Sequence, residues 1–184
     1  MAFGVAARQL LAASVSRTDP WDVIDSTTLG SAASSISFAT GLSGYKLFRV
    51  TAYIVKDGTA GALQVRLNND SGTNYAYQDL TGDSTTKDGA RATGQTQFVL
   101  TTGETIDDAT NGTFEIVIAK QTTGAAGILL SKGTYIHTTT PALNYESIAG
   151  IWSNAADLIS RIDLISSSGN FAANTTVVLE GVPD

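Results

Sequence analysis

From Trp21 onward the chain alternates apolar and polar residues with a period of two, interrupted by turn signals at short intervals. The clearest run is KLFRVTAYIVKD, Lys46 to Asp57, where Phe48, Val50, Ala52 and Ile54 alternate with Arg49, Thr51 and Tyr53. A strand patterned this way presents one side to a core and the other to water or a partner. Asp57-Gly58 supplies turn chemistry, and ALQVRLNN repeats the pattern with Leu63, Val65 and Leu67 on one face. Further strands are predicted at Thr73–Leu80, Gln95–Leu100, Thr113–Lys120, Ser147–Ser153, Ser160–Ser166 and Thr175–Val182. GILLSKGTYIHTTT is strand-like on both sides of Lys132-Gly133, where a hairpin or bulge is expected. Gly82 to Gly94 is polar and lacks hydrophobic periodicity, so it reads as a loop. Strands spaced by ~8–12 residues without crossover helices predict an all-β antiparallel sandwich, with a two-sheet jelly roll as the arrangement.

Composition agrees and closes several routes. The chain has 184 residues, of which 42% are apolar, enough for one cored domain. Charged residues are only 15%, and 17 Ser and 25 Thr fill the gap beside 18 Gly. With no Cys, a disulfide framework, a thiolate metal site and a Cys nucleophile are excluded. His137 is the one histidine, so one chain cannot build a multi-His metal site. A net charge of −6 opposes binding to phosphate backbones, and no Lys/Arg cluster reverses it, so nucleic acid is not expected as a partner. No window reaches the ~18 consecutive apolar residues that a membrane-spanning helix needs, so no membrane partner is expected.

Asp19-Pro20 ends the first segment, because the residue before proline is driven to extended geometry. Residues 1–19 are therefore read as an arm or short amphipathic helix, and 20–184 as the sandwich domain. Phe3, Ala7, Leu10, Leu11 and Ser14 fall near helical spacing, and Phe3, Leu10 and Leu11 are the candidate partner-binding residues of that arm.

Candidate chemistry is sparse. No G-x-S-x-G elbow accompanies His137, which reads as a surface or strand-edge histidine. Asp70, Asp79, Asp83, Asp88, Glu104, Asp107 and Asp108 sit in or near turns, where carboxylates supply local hydrogen bonds. Asn68 to Gly72 carries oxygen donors, but their spacing departs from the calcium-loop pattern and a hairpin turn explains them. Neither a catalytic residue nor a bound cofactor or metal is expected. Tyr75, Tyr77 and Trp152, with Trp21, Tyr135 and Tyr145, either stack sugars on a sheet face or fill a core or interface, and the second use is favoured.

Two segments resemble virion structural proteins of tailed bacteriophages. LQVRLNNDSGTNYAYQDLTG, Leu63 to Gly82, is similar to the family's strand of the type L-x-L-R-x-N followed by a turn and a tyrosine-bearing strand. ISRIDLISSSGNFAANTTVVLEGV, Ile159 to Val182, resembles the family ending, with Ile159, Ile162, Leu164, Gly169, Asn170, Phe171 and Gly181 on matching positions. The chain departs from it at Asn174, where glycine is common, and at Glu180, where tyrosine is usual. The resemblance implies a β-sandwich in a virion, with the major capsid protein or other virion proteins as partners and a homo-oligomer, such as a trimer, as the assembly. The expected function is a non-enzymatic structural protein, foremost a capsid decoration (cement) protein bridging neighbouring subunits. The alternatives are a tail or baseplate protein and a carbohydrate-binding module for host adsorption.

Overall fold

The computed structural model describes residues 20–83, 86–103, 105–120, 122–137 and 142–184. Those residues contain fourteen strands and no helix. The first seven are β1 (Asp22–Thr28), β2 (Ser35–Phe38), β3 (Tyr45–Asp57), β4 (Leu63–Leu67), β5 (Tyr75–Asp83), β6 (Thr86–Asp88) and β7 (Arg91–Gln95). The rest are β8 (Phe98–Val99), β9 (Asn111–Ala119), β10 (Gly127–His137), β11 (Ala142–Trp152), β12 (Ile162–Ser166), β13 (Asn170–Phe171) and β14 (Thr176–Pro183).

All strand pairs are antiparallel, and they form two sheets. The larger runs β1-β14-β3-β9-β10-β11-β5-β6, with β13 added to β3 and β7 to β5; the smaller runs β2-β12-β4-β8. The pairings nest around one another: β1 with β14, β2 with β12, β3 with β9 and β4 with β8. Eight strands wound as nested pairs, four to a sheet, are the jelly-roll arrangement of the antiparallel sandwich. The chain departs from a bare jelly roll by insertion. β5, β6 and β7 lie between β4 and β8 in sequence, and β10 and β11 lie between β9 and β12. Both insertions join the large sheet, and β10, β11 and β5 widen it beyond β9.

The core lies between the sheets and follows from the alternation. Phe48, Val50, Ala52 and Ile54 of β3 and Phe114, Ile116 and Ile118 of β9 are buried on one side of the sandwich. Ile36, Phe38, Leu63, Val65, Leu67, Ile162 and Leu164 are buried on the small sheet. Each such side chain removed from water contributes about 1.5–3 kcal/mol before the loss of chain entropy is set against it.

Two strand expectations change. The segment expected to be a loop between Gly82 and Gly94 contains β6 and β7, which pair with β5 through Thr81↔Asp88 and Gln78↔Arg91. Their side chains are almost all exposed, so these strands are held by backbone pairing and carry no hydrophobic period to be read. Lys132-Gly133 makes neither a hairpin nor a bulge, because β10 continues unbroken with Lys132 opposite Glu115 and Gly133 opposite Phe114. The glycine serves packing: a Cβ there would stand 2.2 Å from Phe114 Cδ1, so the phenyl ring lies directly over its backbone.

Candidate functional site

The three strands that widen the large sheet break the pattern set by the rest. On β10, Ile128 and Leu130 point outward while Ser131 points into the sandwich. On β11, Leu143 and Tyr145 point outward while Asn144 and Glu146 are buried. Leu130 is 57% exposed and Leu143 65%, whereas Glu146 is 1% exposed. The inner side of these strands is still apolar at Leu129, Tyr135, Ile148 and Trp152, so apolar side chains face both ways, which a water-facing sheet does not require.

Register assembles the outward residues into a surface. Ile128 lies between Ala119 and Ile151, and Ile151 is opposite Ala76; Leu130 lies between Val117 and Ala149. These rows floor a shallow depression of about 570 Å³, with Gln78 and Arg91 at its rim. The next row is mixed, with the Lys132–Glu115 ion pair at 3.0 Å and exposed Leu80 opposite Ser147. Thr134 opposite Tyr145 and Ile136 opposite Leu143 continue it toward the far end. Contiguous exposed apolar residues rimmed by polar ones mark contact surfaces for macromolecules.

Behind this face the polar residues form a buried network. The Glu146 carboxylate accepts from the Thr102 amide at 2.6 Å, from the Tyr135 hydroxyl at 3.0 Å and from the Thr102 hydroxyl. The same Thr102 Oγ1 lies 2.6 Å from Asp79 Oδ2, and Asp79 Oδ1 accepts from the Ala90 amide. Burial pushes the Glu146 carboxyl above the usual carboxylate range, and the hydrogen bonds from Thr102 and Tyr135 offset this only in part. Asn144 is fully buried, and neither amide atom has a hydrogen-bond partner among the described residues. The network ties the segment after β8 to β5 and β11, and so holds the backbone that presents the outward residues.

The other candidates fall elsewhere. Tyr75, Tyr77 and Trp152 form no exposed platform: they are 1%, 7% and 0% exposed. Tyr75 and Trp152 stack at 6.5 Å, and Tyr75 meets Phe98 edge-on at 4.9 Å. The period of two puts Tyr75 and Tyr77 on one face, but that face is the inner one, so these three residues offer no exposed stacking surface. Tyr135 is likewise buried, Tyr145 is half exposed, and Trp21 lies under the Arg49 guanidinium at 4.5 Å.

Asp70 sits in a turn. Asn68 and Asn69 adopt left-handed φ of 53° and 54°, and the Asp70 amide bonds back to Leu67 O. Burial pushes the Asp70 carboxyl up, but hydrogen bonds from Asn74, Trp152, Gly72 and Asn154 outweigh it and hold the group below its usual range. Among the described residues, no three carboxylate or imidazole groups gather to hold a metal ion. His137 Nδ1 is 3.1 Å from Thr105 O and 3.7 Å from Asp107 Oδ1, at the end of β10. Phe3, Leu10 and Leu11 lie outside the described residues.

No family profile, curated protein or solved structure matches this chain. The outward apolar face is not identified from the sequence, because a period of two assigns each strand a single buried side. The signal was present: Ile128-Leu129-Leu130 is apolar at three successive positions, and a strand with both sides apolar is one covered on both sides.

Proposed function

We propose that this chain is a non-enzymatic structural protein of a phage particle, acting as a capsid decoration protein that bridges neighbouring subunits of the shell. The observation that carries this reading is that β10 and β11 are apolar on both sides, which turns Ile128, Leu130, Leu143 and Ile151 outward on an inserted part of the sheet. The resemblance of Leu63–Gly82 and Ile159–Val182 to virion proteins supports it from the sequence side. The fold alone does not decide, since jelly rolls serve both capsids and lectins. What favours assembly is the surface chemistry: the depression is broad and apolar, which suits a flat protein contact rather than a sugar. Each contact can be modest, because symmetric repetition over a lattice multiplies it.

The experiment mixes the purified chain with undecorated heads and with separated tails, pellets each and images them by cryo-electron microscopy. Ordered density on the head lattice, lost in a Leu130→Glu/Ile151→Glu variant, supports the reading. Density on tails alone moves the assignment to the tail or baseplate, and no density on either overturns a virion role.

A further inference from the structure

The outer face of the small sheet carries a second feature, independent of the large sheet. Asp163 on β12 pairs in register with Ser37 on β2 and with Arg66 on β4, so the three side chains cross the sheet in one row. The Asp163 carboxylate is engaged by two neighbours. Arg161 Nε reaches its two oxygens at 2.8 and 2.9 Å, and the Ser37 hydroxyl donates at 2.5 Å. Arg161 and Asp163 therefore neutralise each other, and among the described residues Arg66 forms no ion pair. Among the described residues the Arg66 guanidinium makes one hydrogen bond, to the neutral Gln97 side chain, and its buried Nε has no partner.

These groups line a concavity of about 220 Å³, together with Ser34, Ser35 and Asn69. Its lining sets two guanidiniums among hydroxyl and amide side chains. The Arg66 and Arg161 guanidiniums and the Ser34 and Ser35 hydroxyls line it, and its one carboxylate is bonded to Arg161 and Ser37. In a chain of net charge −6, two guanidiniums around one small depression are not what composition alone would place there. Planar guanidinium forks beside hydroxyls match the oxygens of a carboxylate or a tetrahedral oxyanion.

We propose that this concavity binds a single oxyanion group (carboxylate, sulfate or phosphate) borne by a ligand, with Arg66 as the principal contact. Arg161 acts as a positioning residue, fixed by Asp163 and Ser37. The volume admits one such headgroup and not an extended chain.

The test is a titration of the full-length chain with sodium acetate, sodium sulfate and sodium phosphate in separate arms, against sodium chloride at matched ionic strength. The arginine Nε–Hε resonances are followed by NMR. A saturable shift of the Arg66 signal in the millimolar range, roughly tenfold weaker for the remaining arginine signals in Arg66→Gln and unchanged in Lys87→Gln, supports the site. The arm that saturates at the lowest concentration names the headgroup. Ser35→Asp places a carboxylate in the concavity and should abolish binding of added anions while the fold is retained. Shifts that track ionic strength without saturating, or equal losses in Arg66→Gln and Lys87→Gln, overturn the proposal. Because the titration uses no phage particle, its failure leaves the virion reading untouched, and the converse also holds.

Discussion

The carboxylates of Asp79 and Glu146 meet on one hydroxyl: Thr102 Oγ1 lies 2.6 Å from Asp79 Oδ2 and also hydrogen-bonds Glu146 Oε1. A threonine hydroxyl carries one proton, so it cannot donate to both carboxylates at once. Burial meanwhile pushes the Glu146 carboxyl above its usual range.

Stability should therefore fall as pH rises. In the unfolded chain Glu146 ionises near its ordinary value of 4.5, while burial raises it in the folded protein. Between those two points the folded state holds a proton that the unfolded state has released, so raising the pH favours unfolding. Urea midpoints measured upward from pH 4.5 should decline across the window above that value, and Glu146→Gln, fixed in the neutral form, should flatten this part of the profile. A wild-type profile parallel to that of Glu146→Gln would refute a raised Glu146 pKa in the folded state.

Gly133→Ala should destabilise the protein by about 1–3 kcal/mol, because the added methyl would meet the Phe114 ring 2.2 Å away in a packed core. Gly82→Ala is the control on the neighbouring insertion, where nothing stands within 4 Å of the added atom; it should move stability by less than about 0.5 kcal/mol. Thermal melts of the two variants measure the difference directly.

Tyr75→Phe tests the interior aromatic cluster. The hydroxyl accepts from the Leu67 amide at 3.1 Å and lies within reach of Leu67 O and Asp70 O, and burial pushes its pKa up to about 12. Removing it strands the Leu67 amide and should cost about 1–3 kcal/mol, read from denaturant midpoints. Tyr77→Ala should lower stability and leave any glycan-array signal unchanged, since Tyr77 faces the core. A specific loss of glycan binding in a folded Tyr77→Ala protein would contradict the burial.

On the outer face the expectation is the opposite. Leu130 and Ile151 are more than half and about half exposed, so Leu130→Glu and Ile151→Glu should each shift stability by no more than about 0.5 kcal/mol. That corresponds to roughly 1–2 °C in a domain of this size. A drop of several degrees by calorimetry would mean that these side chains are covered within the monomer.

The long strands were legible because their two sides differ: β3, β4 and β9 alternate cleanly, and their buried positions are those the period of two selects. β6 and β7 were not, because strands held only by backbone bonds leave no side-chain period. Gly133 misled in the usual direction, since a glycine demanded by a ring above it and a glycine demanded by a turn look alike in sequence. Tyr75, Tyr77 and Trp152 show the corresponding limit for sites. Alternation says which residues share a face, but which of the two faces is inside depends on partners supplied by distant strands. The Arg66–Asp163–Ser37 row joins three strands far apart in sequence, and no local pattern announces it.

The nested pairing of the strands also orders events during synthesis. Asp22–Thr28 finds its partner only in Thr176–Gly181, about 150 residues later, and β2 must wait for β12. As the ribosome extends the chain, β4 can close on β8 and β9 on β10 early, while β1 and β2 stay unpaired until the last strands emerge. Long-range closure of this kind slows folding and prolongs exposure of unpaired edges. Nascent chains arrested before Thr176 should therefore be the most protease-sensitive and aggregation-prone, and pairing of β14 with β1 and β3 is the step that completes the large sheet.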